Sequence, residues 1–330
     1  MTSPNIRNSA SWCIVVADDY GPQALGRRRS EIDCAPVHYR HLGAAGTLLQ
    51  RALHRAASIA PASQILLTAD EECRELWEAS MWLVRPFRRF VGATRHTACL
   101  TAAAAALYVA QKSPSALVTI LPARCWVAHE ASLRRGLAQA LEELPGIEER
   151  VVTLGMLDLE DPSDENYLTL GRAGAGEAPL VQSLARRPTA VAARQLRRRG
   201  ALVASDIIIG YAGALAAALA RHWPGALCAK LGELVAQSAE ECEVPLELLR
   251  ELPRGVFYSH PWHPAAVRQR AIAVCRSGWS GLKSPRSIER VLAFVAATAA
   301  VQAGKPMRLE PTSMASLIRT RSRAHDSHAF

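Results

Sequence analysis

Short apolar runs alternate along the chain with longer segments whose apolar residues recur at helical spacing. The short runs are rich in β-branched residues and end at polar or glycine-containing loops, which is typical of buried strands. Strands that alternate with helices indicate a parallel sheet with right-handed crossovers, so we expect an α/β fold. The predicted strands are 12–17, 64–68, 82–84, 116–121, 151–155, 202–209 and 271–275.

Helices are predicted where apolar residues recur every three or four positions. Thr47 stands just before such a segment and is expected to cap its helix. Residues 97–111 are alanine-rich and apolar on all sides, which predicts a buried helix. Further helices are predicted at 71–81, 129–144, 189–199, 212–222, 224–254 with breaks at Pro245 and Pro253, and 286–301.

The pattern also divides the chain. Residues 1–10 are polar and are expected to be disordered. Residues 11–296 carry the strand and helix pattern and are expected to form one domain. Residues 297–330 are expected to complete the last helix and to continue as a basic tail.

The chain is basic, with a formal net charge of +9, and 35 of its 39 basic residues are Arg. A basic surface favours phosphorylated ligands, nucleic acid or an acidic partner. Nucleic-acid binding would use a predicted basic loop at 85–95, where aromatic residues stand between arginines, and Arg197 to Arg199. We favour the other interpretation, in which solvated arginines cover a globular protein and the loop aromatics anchor to the core. Nucleic acid is therefore not an expected partner. The arginines in question are Arg85, Arg88, Arg89 and 197–199.

The eight Cys residues are scattered and form no Cys-x-x-Cys pair. This spacing predicts buried free thiols in a reducing compartment rather than a zinc site. The polar start predicts no secretory signal, and no uncharged apolar run has the length of a membrane span. We therefore expect a cytoplasmic protein without a membrane partner.

The first predicted strand delivers a loop to the carboxyl edge of the sheet, where open α/β sheets bind their ligands. A phosphate-binding loop would be rich in glycine at this point, so that backbone N–H groups could approach the phosphates. Here the small positions are taken by Asp18 and Asp19. Two carboxylates repel phosphate unless a metal lies between them. The simpler expectation is that both carboxylates are solvated in an ordinary loop.

Four stretches in order resemble the sugar-1-phosphate nucleotidyltransferases, most closely the bacterial mannose-1-phosphate guanylyltransferases without their cupin domain. Residues 47–52, Thr-Leu-Leu-Gln-Arg-Ala, are similar to that family's Ser-Leu-Leu-Gln helix start. Residues 152–155 match its Val-Thr-Leu-Gly strand, and 121–122 match the start of its Leu-Pro-Ser-Asp-His. Residues 278–285 are similar to its Gly-Trp-Ser-Asp-x-Gly-Ser. The resemblance covers roughly residues 11–296.

This resemblance implies a Rossmann-like (GT-A-like) fold, with a mixed, mostly parallel sheet flanked by helices. It also implies a reaction in which a sugar 1-phosphate attacks the α-phosphorus of a nucleoside triphosphate and releases pyrophosphate, assisted by Mg²⁺ and basic side chains. The positions matching the family's nucleotide-binding residues are Ala17, Gly21, Arg95, Thr97 and Leu121. Those matching its sugar-phosphate-binding residues are Gly155, Arg187 and Ser205.

The charged positions of the family depart most. The family's phosphate-binding loop Arg aligns with Gln23, and its loop Lys aligns with Val37. Its two metal-binding Asp residues align with Arg124 and Gly281. Loss of one such group commonly costs two or more powers of ten in rate. The resemblance therefore predicts a site in which no catalytic residue is intact.

Two functions follow as hypotheses. In the first, the chain is catalytically degenerate, needs no cofactor, and acts as a non-enzymatic partner or as a sensor of a nucleotide or nucleotide sugar. Its protein partner would be an active paralogue or a second copy of the chain. In the alternative, it is a divergent enzyme that makes GDP-mannose and pyrophosphate from GTP and mannose 1-phosphate, with Mg²⁺ held at a new site. Asp18 and Asp19 are the only candidate metal ligands for that site, and Arg95 would take a new role.

Overall fold

The structure, a computed structural model, describes residues 11–18, 36–42, 46–82, 84–144, 149–157, 165–174, 177–252, 261–262 and 267–302. Contacts divide the chain into a large unit, 1–291, and a small unit, 292–330. In the small unit the structure describes residues 292–302, which belong to the last helix.

The described residues of the large unit form one mixed sheet. Its main path runs β10-β5-β8-β4-β1-β2-β3-β9, and β6 and β7 extend it beside β8. Pairing is parallel along the path except where β8 lies antiparallel to β4 and β5. The strands are β1 (Ser11–Val16), β2 (Ile65–Asp70), β3 (Arg88–Gly92), β4 (Leu117–Pro122), β5 (Val151–Met156), β6 (Tyr167–Leu170), β7 (Val181–Ala185), β8 (Leu202–Tyr211), β9 (Glu241–Val244) and β10 (Gln269–Val274).

Helices cover both faces of the sheet, which confirms the predicted α/β class with a mixed, mostly parallel sheet. Cys13 and Val15 of β1 face a core shared with α1 and α4, whereas Trp12 and Ile14 face a second core shared with α3, α6 and α7. In the described part of the chain, no helix is long and apolar enough to cross a bilayer. The helices are α1 (Leu48–Ala57), α2 (Arg74–Ser80), α3 (Ala98–Lys112), α4 (Glu130–Glu142), α5 (Ala190–Arg198), α6 (Ala212–His222), α7 (Gly225–Gln237) and α8 (Pro285–Gln302).

The predicted cap of α1 is confirmed. The Thr47 hydroxyl accepts from the Gln50 backbone N–H at 3.1 Å, and the Gln50 side-chain oxygen accepts from the Thr47 N–H at 2.9 Å. This reciprocal capping box satisfies two backbone donors at the helix start. It fixes the start of α1, the helix whose Arg51 side chain contacts the loop that follows β4.

We expect Thr47→Ala to lower the free energy of unfolding by about 1 kcal/mol, because one helix donor loses its acceptor. Thr47→Ser keeps the hydroxyl and should stay close to the native stability. Urea denaturation of the three proteins measures the difference. Equal midpoints for the Ala and Ser variants would show that the cap contributes nothing.

The third strand was predicted in the wrong place. Residues 82 and 84 are not in a strand, and β3 lies instead inside the segment predicted as a basic loop. Phe90 is fully buried there. Arg88 is also buried. Its guanidinium is compensated there, because it lies 4.4 Å from the Tyr108 ring centre and donates to the carbonyl oxygens of Val235 and Ser238. A charged residue at a buried position breaks the apolar pattern by which this strand could be recognised in the sequence.

The neighbouring Arg89 is held as well, by an ion pair with Glu241 at 3.0 Å. Two of the arginines named for nucleic-acid binding are therefore part of the fold, whereas Arg197 to Arg199 are exposed. Glu241 belongs to β9, a strand within the segment predicted as helical. The pairing of β3 with β9 thus corrects two predictions together.

Candidate functional site

Five neighbouring strands, β10, β5, β8, β4 and β1, have an end at the edge of the sheet that concerns the site. Strands β1, β4, β5 and β10 end there, and the antiparallel strand β8 begins there. The carboxyl ends of parallel strands are where open α/β sheets place their ligands. Of the described residues predicted for the site, Ala17, Asp18, Arg124 and Gly281 lie in loops at these strand ends, and Leu121, Gly155 and Ser205 lie in the strands themselves, so this edge is the candidate site.

At the end of β1, both backbone polar groups of Ala17 are hydrogen-bonded. The Ala17 N–H donates to the Thr68 carbonyl oxygen at 2.9 Å, and the Tyr39 hydroxyl donates to the Ala17 carbonyl oxygen at 3.1 Å. Asp18 follows with its side chain fully buried. The Thr68 hydroxyl donates to Asp18 Oδ1 at 2.7 Å, and the Thr101 hydroxyl contacts Oδ2. The prediction of a solvated carboxylate is therefore wrong for Asp18.

Burial raises the pKa of Asp18 to about 7, and the nearby charge of Asp70 acts in the same direction, although hydrogen bonds from Thr101 and Thr68 lower it. The Thr101 hydroxyl also lies 2.9 Å from the Ala98 carbonyl oxygen. One hydroxyl proton can serve only one of these two acceptors. A protonated Asp18 would donate to Thr101, which could then donate to Ala98. Burial therefore favours the protonated form of Asp18 up to a pH of about 7, well above the pH at which an ordinary Asp ionises.

The other nucleotide-side positions fall in three groups. Gly21, Gln23 and Asp19 lie outside the described residues. Val37 is half-buried in a short 3₁₀ turn. The remaining three positions are described. Thr97 is buried and donates to the Thr94 carbonyl oxygen, and Leu121 is buried in β4. Arg95 is the first residue of a short 3₁₀ turn before α3.

A group of four charged side chains lies at the same edge, and we call it the ion cluster: Arg124, Glu165, Asp206 and Lys283. Lys283 Nζ lies 3.1 Å from Glu165 Oε2 and 3.5 Å from Asp206 Oδ2. Arg124 Nη2 lies 3.8 Å from the same Asp206 oxygen. Three of these side chains are at most 8% exposed, and Asp206 is 27% exposed. The cluster is therefore a nearly buried network with one carboxylate that reaches solvent.

Asp206 reaches the cluster because β8 bulges at this point. Thr153 pairs with Ile208 and Gly155 with Ala204, so Leu154 alone faces three residues of β8. Asp206, the middle one, has a φ of +62°, a conformation that Asp tolerates better than most residues. Bulges of this kind re-aim a side chain. The preceding Ser205 is buried and donates to the Leu154 carbonyl oxygen at 2.6 Å, which holds the bulge.

Among the described residues, the non-glycine residues with positive φ all belong to this edge: Arg187 (+40°), Asp206 (+62°), Arg276 (+54°) and Leu282 (+50°). Arg187 follows β7, and its backbone N–H donates to the Asn166 side chain at 3.2 Å, one residue from Glu165. Such conformations cost of order 1–3 kcal/mol each and collect where a structure serves a ligand. Their concentration here supports the assignment of the site.

Two glycines of the site are required by packing. A Cβ on Gly155 would lie 2.5 Å from the Leu202 side chain, across the β5–β8 pair. A Cβ on Gly281 would lie 2.8 Å from Glu165 Oε1. Gly281 therefore leaves room for the Glu165 carboxylate, and Ser280 beside it is fixed to Trp126 by two backbone hydrogen bonds of 2.9 Å.

The ion cluster does not fit the divalent cation that the sequence resemblance implies. Arg124 and Gly281 offer no carboxylate, and the ammonium of Lys283 lies between the two carboxylates that are present. Within the described ranges, no group of three His, Cys, Asp or Glu side chains could hold a metal ion. The site as built holds two resident positive charges, on Arg124 and Lys283.

We expect Gly281→Asp, which restores the carboxylate of the resembling family, to destabilise the protein by about 1–3 kcal/mol through overpacking against Glu165. Gly225→Asp is the matched control, because a Cβ at Gly225 meets nothing within 4 Å. Thermal unfolding compares the two variants. A native-like melting temperature for Gly281→Asp would contradict the packing argument.

Sequence reasoning located Arg124 and Gly281 but missed Glu165, Asp206 and Lys283 as a group. One signal was present, since Lys283 is one of only four lysines among 39 basic residues. The remaining information lies in the bulge and the loop conformations, which no local sequence pattern reveals.

The sequence matches no protein-family model and no curated protein. Among solved structures, the fold is similar to a Thermus thermophilus protein described as mannose-1-phosphate geranyltransferase, with a TM-score of 0.66 and 21% identity over 86% of this chain and 79% of that one. It is also similar to a Helicobacter pylori protein described as mannose-6-phosphate isomerase, with a TM-score of 0.59 and 13% identity over 82% and 99%. At these identities the likeness shows the fold alone.

Proposed function

We propose that the protein is a mannose-1-phosphate guanylyltransferase-like protein that binds a nucleotide or nucleotide sugar at the carboxyl edge of its sheet without turning it over. It acts as a ligand sensor or as the non-enzymatic partner of an active paralogue or of a second copy of itself. The observation that carries this proposal is the charge of the ion cluster. A guanidinium, Arg124, stands where the resemblance expects the first metal carboxylate, and Gly281 stands where it expects the second.

The loss of turnover follows from what these groups can do. Transfer to the α-phosphorus needs charge neutralisation on the phosphates as the bond to pyrophosphate breaks. A guanidinium or ammonium stabilises an anionic oxygen by hydrogen bonds, but it cannot coordinate two phosphates as a metal ion does. The loop positions Gln23 and Val37 add no positive charge. Several independent contributions to rate are therefore missing together.

Binding is less affected by the same changes. Arg187 is exposed beside Asn166, and Arg124 and Lys283 place two cations at the strand ends. Arginine and lysine bind phosphate oxygens without help from a metal. The fold and the overall charge of +9 both favour a phosphorylated ligand.

Thermal unfolding with GTP or GDP-mannose, each with and without Mg²⁺, tests the binding. We expect a rise of a few degrees that does not depend on Mg²⁺, since ligand at 100 times its dissociation constant adds about 2.7 kcal/mol. Arg124→Gln should reduce the rise. Arg150→Gln, which removes an ion-paired arginine at the opposite edge of the sheet, should leave it unchanged.

A pyrophosphate-release assay with GTP and mannose 1-phosphate tests the absence of turnover. We expect no release above a protein-free blank. Mg²⁺-dependent release from the pure protein would instead favour the divergent enzyme. No thermal shift with any ligand would remove the sensor and leave a protein partner as the only part of the proposal.

A further inference from the structure

We propose that the ammonium of Lys283 is a resident cation of the site: it takes the place of a divalent metal between Glu165 and Asp206 and offers its N–H groups to a phosphate oxygen of the ligand. This inference rests on the proposed function only in assuming that the ligand carries a phosphate. Its first test measures the binding of a metal ion without any nucleotide, so the two proposals can fail separately.

The geometry of Lys283 is that of a shared cation. Its Nζ lies within ion-pair distance of one oxygen from each carboxylate, at 3.1 Å for Glu165 and 3.5 Å for Asp206. The Lys283 and Glu165 side chains are only 4% and 6% exposed. A nearly buried lysine is stable only when opposite charges compensate it, and here two carboxylates do so.

Lys283 also keeps hydrogen-bonding capacity. Within the described residues, the buried Nζ has two carboxylate partners, Glu165 and Asp206, whereas an ammonium carries three N–H donors, so at least one donor remains for a ligand. Nε1 of Trp279, four residues earlier, is a second buried donor without an acceptor there. Buried donors of this kind require an explanation, and a phosphate oxygen is an acceptor of the right charge.

The charge of the ion cluster is consistent with this replacement. One divalent cation between two carboxylates has a formal charge of zero. Arg124 and Lys283 with Glu165 and Asp206 also sum to zero. A phosphate group would thus meet a site with the same formal charge, but one whose positive groups are covalently part of the chain and cannot exchange.

The local chain holds Lys283 firmly in place. On one side Ser280 is tied to Trp126, and Leu282 takes a φ of +50°. On the other side Ser284 and Ser287 exchange hydrogen bonds of 3.0 and 3.2 Å between backbone N–H and hydroxyl groups, at the start of α8. The lysine is therefore positioned from both directions.

Mn²⁺ binding to the full-length protein without nucleotide, followed by electron paramagnetic resonance, tests the inference. Native protein and Lys283→Arg should bind Mn²⁺ at least about tenfold more weakly than Lys283→Met, in which the two carboxylates lose their cation and accept the metal. Adding Glu165→Gln to Lys283→Met should remove the new binding. Equal Mn²⁺ binding by native protein and Lys283→Met would overturn the inference.

If Lys283→Met does not fold alone, it can be prepared in the presence of Mn²⁺. Recovery of folded protein only when Mn²⁺ is present supports the inference. No recovery in either case overturns it.

A second test measures ligand binding. The thermal shift of native protein by GDP-mannose should be insensitive to a metal chelator, whereas that of Lys283→Met should become dependent on the divalent ion. A chelator-sensitive shift in the native protein would overturn the role of Lys283.

Discussion

Replacing Asp18 with Asn is expected to stabilise the protein at pH 8 and to change its stability little at pH 4. Asp18 is fully buried, and burial raises its pKa from 3.8 to about 7. Between these two values the folded chain keeps a proton that the unfolded chain releases. The free energy of unfolding of the native protein therefore falls as pH rises through this window.

The size of the effect follows from the shift. About three pKa units correspond to about 4 kcal/mol, which is the largest difference we expect between the Asn variant and the native protein above pH 7. Asn keeps an acceptor for the Thr68 hydroxyl and offers an N–H toward Thr101, so it resembles the protonated carboxyl group. Urea denaturation from pH 4 to pH 8 gives the difference at each pH.

Asp70→Asn is the control for this experiment. The charge of Asp70 helps to raise the pKa of Asp18, so its removal should move the window to lower pH without abolishing it. A constant difference between Asp18→Asn and native protein across the pH range would contradict a protonated Asp18.

The fold could be predicted where local pattern and burial agree. In β1, Trp12 and Ile14 face one core while Cys13 and Val15 face the other, so the strand is apolar from residue 12 to residue 16, as a central parallel strand requires. Helix α6, Ala212–His222, has the predicted bounds. β3 was missed because a buried arginine interrupts its apolar run, and its polarity is satisfied only by partners distant in sequence.

The candidate site could be predicted only in part. Aligned motifs identified Arg124 and Gly281 as changed positions, because each stands at a fixed place after a strand or motif. The ion cluster brings together residues from three separate loops and one from β8, and it depends on a bulge in that strand that places Asp206 at a φ of +62°. Neither a hydropathy pattern nor a motif predicts that these four side chains lie close together. Selective loss of charged groups was visible in the sequence, whereas the charges that replaced them were not.

The loop that carries Arg124 is supported by an ion pair between the buried Arg55 and Glu130, whose side chain is 33% exposed. Arg55, whose side chain is 2% exposed, donates to Glu130 from Nη2 at 2.7 Å and from Nε at 3.0 Å. Arg51 donates to the Val127 carbonyl oxygen at 2.8 Å and lies 4.3 Å from the centre of the Trp126 ring. Burial raises the pKa of Glu130, but the adjacent Arg55 outweighs it and leaves that pKa below its ordinary value. Helix α1 thus holds the loop at residues 123–127 through charges.

We expect Glu130→Ala to cost about 3–5 kcal/mol of stability, because it leaves the guanidinium of Arg55 buried without its carboxylate. The same variant should weaken the proposed thermal shift by GDP-mannose, since Arg55 then loses the ion pair that joins α1 to the start of α4, next to the loop that carries Arg124. Glu78→Ala is the matched control: it removes a surface carboxylate 3.2 Å from Arg74 and should cost at most about 1 kcal/mol. Denaturant midpoints measure the stabilities, and thermal unfolding with ligand measures the shift.

Equal losses of stability in the two variants would show that the Arg55–Glu130 pair does not hold the loop. If Glu130→Ala lost stability but kept the full shift, the Arg55–Glu130 pair would not position the loop, and its other contacts, such as the Trp126–Ser280 backbone pair, would suffice.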